Sequence, residues 1–160
     1  MTIICRRASL ADLAAVSRST AELNSEVAGQ LDPTVSLTWP EENSPEGYRA
    51  HLGDPRWLIL VADAGGTVVG CLVGVIDQPA WRTVPVATIF SLQVSADRRG
   101  QGVGSALVDA FTAWAVERSV HVLEVSTYTA NSAALRFYQR HGFSPYTSTL
   151  QRVQSAERSS

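Results

Sequence analysis

The passage that most constrains this chain runs from Val86 to Arg118. Nine residues rich in β-branched and aromatic side chains, Val86 to Val94, lead through Arg98-Arg99-Gly100-Gln101-Gly102-Val103-Gly104 into a segment with apolar residues three and four apart. The first part suits a pleated, buried strand. Val103, Leu107, Ala110, Phe111, Trp114 and Ala115 form one apolar face of a helix that ends near Arg118. A strand entering a helix through glycines can hold phosphate, because backbone N–H groups converge there and the helix N-terminus adds positive potential. Gly100, Gly102 and Gly104 allow close backbone approach, and Arg98 and Arg99 supply cations. The third glycine comes one residue too early for the dinucleotide G-x-G-x-x-G pattern, and no lysine follows as a P-loop requires. Spacing alone leaves two readings open: a phosphate-holding turn, or a tight strand-to-helix connection.

The rest of the chain builds around this unit. Ile3 to Arg7 reads as a short strand, and Ser9-Leu10-Ala11-Asp12 as a capping-box start to a helix with Leu10, Leu13, Ala14 and Leu23 facing inward. The helical pattern decays after Val27. Three prolines between Gly29 and Asp54 indicate loops with one short helix around Pro45 to Leu52. Trp57 to Ala62 and Val68 to Ile76, joined through Gly65-Gly66, read as a hairpin. Val120 to Thr127 reads as a further strand. Asn131 N-caps a second long helix that Gly142 stops, and Phe143 to Val153 is expected to be a last strand. This order predicts an α/β fold, a mixed sheet covered by helices, with a parallel strand–helix–strand crossover from Val86 to Thr127. One domain over residues 1–153 and a frayed tail over 154–160 are expected.

Charge removes several function classes. All thirteen basic residues are arginine, so no Walker, kinase or Schiff-base lysine is available. A net charge of −2 argues against general nucleic-acid binding. Between Thr20 and Asp54 seven acids face only Arg49, a segment that either attracts a cation or forms a solvated face. The longest apolar run, Val68 to Ile76, is far below the ~20 residues that a helix needs to cross a bilayer. The N-terminus lacks the order of a signal peptide, so a cytoplasmic protein that does not bind membrane is expected. Cys5 and Cys71 read as reduced thiols, and His51, His121 and His141 are too scattered for a metal site.

Two blocks carry a family resemblance. Ile89 to Leu107 contains Arg99, Gly102 and Gly104 in an R-x-x-G-x-G arrangement, and Leu123-Glu124-Val125 is followed by Asn131 to Phe143, which reads N-x-x-A-x-x-x-Y-x-x-x-G-F. Together, in this order, they resemble the GNAT superfamily of N-acetyltransferases across Ile3 to about Val153. The resemblance implies a mostly antiparallel sheet whose central strands splay, often beside a bulge, and acetyl-CoA as co-substrate with no metal. It implies that Arg98, Arg99, Gly100, Gln101, Gly102, Val103, Gly104 and Ser105 hold the CoA pyrophosphate. The backbone of Leu92, Gln93 and Val94 would pair with the pantetheine arm like an added strand, and Asn131 would contact that arm besides capping its helix. Tyr138 would act as general acid toward the departing thiolate, although its spacing from Leu135 by itself suits a core aromatic. A backbone N–H near Val94 would serve the carbonyl oxygen, and transfer would be direct.

Many relatives carry a glutamate at the place of Thr88, which leaves the base unassigned among Asp77, an acid of the Glu22 to Glu46 segment, a water chain and His51. The expected acceptor is a small amine, with Trp39 or Tyr48 shaping its pocket. A protein N-terminus or lysine as acceptor, a CoA-binding module without catalysis, and an unrelated nucleotide-binding protein are the alternatives. Family members are often homodimers, though no heptad or long unpaired strand here requires one.

Overall fold

The computed structural model describes residues 2–37 and 43–155; Trp39, Glu41 and Glu42, and residues 156–160 of the expected tail, lie outside them. Five strands form one sheet in the order of the chain: β1 (Ile3–Arg7), β2 (Trp57–Ala64), β3 (Thr67–Asp77), β4 (Val86–Val94) and β5 (Val122–Val125). The first three pairings are antiparallel and β4 with β5 is parallel. A helix crossover separates the two parallel strands, as parallel pairing requires. Helices α1 (Leu13–Gln30), α2 (Pro45–Leu52), α3 (Val103–Glu117) and α4 (Ser132–Arg140) flank the sheet.

Alternation along the strands divides the core into two faces. Leu58, Leu60, Leu72, Ala87 and Ile89 meet Leu107, Phe111 and Trp114 of α3. Ile59, Val61, Cys71 and Val73 meet Leu13 and Val16 of α1 and Tyr48 of α2. Phe111 and Leu107 are wholly buried, and each contributes about 1.5–3 kcal/mol on leaving water. Helix α3 lies so close to β3 that a Cβ on Gly74 would stand 2.5 Å from Phe111 Cε2. Only glycine fits there.

The start of α1 corrects part of its expected stripe. The Asp12 carboxylate accepts from Ser9 N at 2.7 Å and from Ser9 Oγ at 3.1 Å, the reciprocal end of a capping box. Residues Leu10–Asp12 form a 3-10 turn, however, and α1 proper begins at Leu13. That turn shifts the phase of the helix. Leu13, Val16 and Thr20 are buried while Leu10 and Ala14 are exposed.

The expected last strand is also corrected. Residues 143–155 join no strand, residues 144–155 are exposed, and Leu150 and Val153 are 94% and 84% accessible. Pro145 lacks the N–H that a ladder needs, and the segment has no partner strand beside β5.

Candidate active site

Strands β4 and β5 share only four rungs, from Val86↔Val122 to Ile89↔Val125. Beyond Ile89 they part. The register of β3 with β4 slips at the same place, passing from Gly74↔Ile89 to Val73↔Ser91 so that Phe90 is an extra residue. A bulge bends its strand and re-aims side chains, and here it coincides with the opening of the sheet. The expected splay beside a bulge is therefore present, and the edge of β4 from Phe90 to Val94 carries no β5 partner.

The glycine turn stands at the end of that open edge. After a 3-10 turn over Ala96–Arg98, Gly100 and Gly102 take φ values of +76° and +83°, conformations that glycine adopts without strain. Gly102 caps α3, and the first bond within the helix runs from Ala106 N to the Gly102 carbonyl at 3.0 Å. Val103, Gly104 and Ser105 thus present N–H groups with no acceptor inside their helix. A Cβ on Gly104 would lie 3.2 Å from Phe137 Cζ and 3.8 Å from Val94 Cγ2, so the turn, the end of β4 and α4 converge at that point.

The side chains of the turn are already engaged. Arg99 donates through Nε to the Val94 carbonyl at 3.1 Å and through a terminal nitrogen to Glu26 of α1 at 3.1 and 3.4 Å. Gln101 Nε2 donates to the Asp97 carbonyl at 3.0 Å. Arg98 stands 3.9 Å from Asp97. Ser105 Oγ and His141 Nε2 are 3.0 Å apart, a bond that ties the first turn of α3 to the end of α4. On β4, Leu92 and Val94 pack on the α3 face, whereas Gln93 pairs with Cys71 and is buried on the α1 face.

Helix α4 brings the two remaining candidates. Asn131 accepts from Ala134 N at 3.1 Å, so its capping role is realised. It also lines a groove of about 260 Å³ together with Leu23, Glu26 and Val27 of α1. Tyr138 is half-buried, with Phe137 at 5.1 Å and Phe143 at 5.6 Å, both edge-on. Its hydroxyl has no hydrogen-bond partner among the described residues, and burial pushes its pKa up to about 12. A phenol so placed stays protonated and keeps its proton to give.

The opposite face of the opening is built by α2 and the bulge. His51 stacks on Trp57 at 3.7 Å, and Trp57 meets Phe90 edge-on at 6.2 Å. Next to Phe90, Ser91 is buried with its hydroxyl unpaired among the described residues. Tyr48, by contrast, is buried in the core with its hydroxyl 2.9 Å from Thr20 Oγ1, so it can support this wall only from behind. One rung before the opening, Thr88 of β4 pairs with Glu124 of β5, whose carboxylate takes a hydrogen bond from Arg82. Nothing local in either segment signals the pairing of Arg82 with Glu124 across 42 residues.

Of the proposed bases, Asp77 lies opposite Val86, two rungs short of Thr88, and its carboxylate accepts from Gln78 N. Glu26 is tied to Arg99. Asp32 accepts from Tyr128 Oη at 2.7 Å and from Thr34. No group of metal-ligating side chains occurs among the described residues, and no described helix is long and apolar enough to cross a membrane.

Comparison with known proteins agrees with this geometry. Residues 24–143 match the profile of the Acetyltransferase (GNAT) family. An uncharacterized N-acetyltransferase from Chlorobaculum tepidum is 34% identical over 138 residues, which make up 86% of this chain and 73% of that protein. Other curated relatives are matched over a smaller part, the chain spanning 28% of the length of one and 26% of another. Among solved structures, a tetramutant of the BH1408 protein from Bacillus halodurans gives a TM-score of 0.82 at 22% identity, over 94% of this chain and 99% of that one. AAC(6')-Iy, solved with the bisubstrate analog CoA-S-monomethyl-acetylneamine, gives 0.73 at 16% identity, over 98% and 100%. At these identities the structural likeness speaks to the fold.

Proposed function

The chain belongs to the Acetyltransferase (GNAT) family, and from that premise we propose that it transfers an acetyl group from acetyl-CoA directly to a primary amine on a small molecule. The pyrophosphate would sit on the N–H groups of Val103, Gly104 and Ser105, with Arg98 and Arg99 beside it. The pantetheine arm would lie along the open edge of β4, from Ser91 to Val94, as an added strand. The Val94 carbonyl already accepts one bond from Arg99, which leaves its second lone pair for the arm.

The observation that carries the reading is the Tyr138 hydroxyl, half-buried, without a partner among the described residues and held protonated by desolvation, on the helix that converges with the glycine turn. When the amine attacks the thioester carbonyl, the C–S bond breaks and a thiolate leaves. Tyr138 donates its proton to that sulfur. A backbone N–H at the exposed β4 edge meets the charge on the carbonyl oxygen. Direct transfer is favoured, because Cys71 is buried with its thiol pushed up to about 11 and both cysteines lie off these motifs.

A small amine fits the acceptor side, where the aromatic surface His51–Trp57–Phe90 borders the opening. AAC(6')-Iy, in complex with the bisubstrate analog CoA-S-monomethyl-acetylneamine, supports a small molecule as acceptor as well. The test is a panel of polyamines, amino sugars and amino acids with acetyl-CoA, read by thiol release, alongside thermal melts. A tight ligand of the native state must raise Tm. Acetyl-CoA that leaves Tm unchanged would refute the donor, and absence of turnover with bound acetyl-CoA would refute the transfer.

A further inference from the structure

The glycine turn and the end of α4 are joined by a bond that the transfer step does not use, the one between Ser105 and His141. We propose that His141 is a positioning residue for the donor, whose protonated ring turns the Ser105 hydroxyl toward a phosphate of acetyl-CoA, so that binding the donor takes up a proton; this rests on the donor placement given above.

His141 is the C-cap of α4, where the last carbonyls of a helix favour a cation. Its ring reaches across to α3 and spans one turn of that helix. Nε2 stands 3.0 Å from Ser105 Oγ, and Nδ1 stands 3.8 Å from Oδ1 of Asp109. Ser105 and Asp109 are four residues apart and so lie on one helix face, which lets a single imidazole face both. Phe137 lies against the ring with centroids 4.8 Å apart, and a Cβ on Gly104 would come within 3.2 Å of the same Phe137. The imidazole is thereby fixed at the edge of the glycine turn. Its side chain keeps only 16% of its accessibility, whereas that of Asp109 keeps 77%. Among the described residues, Ser105 and Asp109 are the polar groups that α3 turns to the ring. Arg98 is beside Asp97, Arg99 is engaged with Glu26 and the Val94 carbonyl, and Arg136 and Arg140 of α4 are exposed.

The two ring nitrogens have different surroundings. Nδ1 faces a carboxylate, which offers only lone pairs, so a neutral ring keeps its one proton there. Nε2 is then an acceptor, and the Ser105 hydroxyl donates its hydrogen to it. In that state the hydroxyl can show an anion nothing but lone pairs, which repel a phosphate oxygen. A second proton on the ring reverses the bond. Nε2–H donates to Oγ, and the Ser105 O–H is released to donate to an anion. Ser105 is the third residue of α3, and its own N–H has no acceptor inside the helix. Hydroxyl and N–H belong to one residue, so a phosphate held by the second is within reach of the first, with a positive ring directly behind. Hydrogen bonds with a charged partner are about twice as strong as neutral ones. Phosphate and proton therefore stabilise each other here, and each raises the affinity for the other by the same factor.

The experiment titrates acetyl-CoA into the full chain by calorimetry between about pH 5.5 and pH 8, the range in which imidazoles change charge. Buffers of different ionisation enthalpy give affinity and proton uptake together. Ionisations of acetyl-CoA itself are common to every protein compared and cancel in the differences. Wild type should take up about half a proton more than either of two variants at the maximum, and its Kd should rise about tenfold relative to theirs from the low to the high end of the range. His141→Gln carries an amide NH2 that donates to Ser105 at every pH, so it should bind acetyl-CoA more tightly than wild type at pH 8 and lack the extra uptake. Ser105→Ala should bind about tenfold more weakly than wild type at pH 5.5 and equally at pH 8, and lack the extra uptake although His141 is intact. Tm without ligand shows that each variant keeps the fold, a readout that a merely structural bond would move and the proton count would not. Uptake equal to wild type in either folded variant would overturn the assignment. A wild type that binds no acetyl-CoA would instead overturn the donor reading, and this one with it.

Discussion

Replacing Tyr138 by phenylalanine should separate activity from stability. The substitution keeps the ring and its edge-on contacts with Phe137 and Phe143. It removes one oxygen that no described protein group bonds. An unpaired hydroxyl in a desolvated place contributes nothing to folding, so stability at neutral pH should stay within about 1 kcal/mol of wild type or rise. Catalysis should respond very differently. Loss of a general acid costs about 10²- to 10⁴-fold, or about 3–5.5 kcal/mol of barrier, and it should fall on kcat rather than on acetyl-CoA binding.

The alkaline limb of stability supplies a second readout. The phenol's pKa is about 12 in the fold against its ordinary 10, because burial favours the neutral form. Below pH 10 the group is neutral in both states and leaves stability unchanged, and as pH rises from 10 through 12 ionisation in the unfolded chain lowers stability by up to about 3 kcal/mol. Wild type should lose stability across that interval more steeply than Tyr138→Phe. Thiol-release kinetics at saturating acetyl-CoA and denaturant melts from pH 7 to pH 12 make both measurements. A variant with kcat within twofold of wild type, while acetyl-CoA still raises its Tm, would refute the general-acid role. Equal alkaline losses in the two proteins would refute the desolvation argument.

Two further substitutions address the donor site. Gly102→Ala forces a side chain into φ +83° with open space around its Cβ, so the cost is conformational, about 1–2 kcal/mol. It should appear as a lower Tm and a smaller stabilisation by acetyl-CoA; an unchanged acetyl-CoA shift would mean that the turn does not hold the cofactor. Glu26→Gln releases Arg99 from an ion pair in which both side chains are about half exposed. Such pairs are worth about 0–1 kcal/mol, so acetyl-CoA should bind up to about fivefold more tightly at low salt, with the gain shrinking as salt screens the charges. Weaker binding by titration calorimetry would show instead that Glu26 orients Arg99 for the cofactor.

Much of this molecule is legible in its local chemistry. The bounds of α2 and β4, the cap at Asn131 and the stop at Gly142 depend on residues within a few positions of one another, and they stand where the patterns placed them. The segment after Phe143 has the look of a strand in its Phe143, Tyr146 and Leu150, while strand formation depends on a partner that the sheet does not offer there. The face of α1 was misplaced for a related reason, since a single 3-10 turn rotates everything after it.

The strand–glycine turn–helix unit and the α4 block are written in the sequence, because backbone conformation at Gly102 and helix capping at Asn131 are short-range effects. What those elements face depends on the folded arrangement of the whole chain. The slip that leaves Phe90 unpaired, the Arg99–Glu26 contact, the Ser105–His141 bond and the rung joining Thr88 to Glu124 each link residues distant in the chain. Register in a sheet is set by how whole faces bury their apolar side chains. The partners that flank the opening, Thr88 beside Glu124 among them, are therefore set by the sheet as a whole.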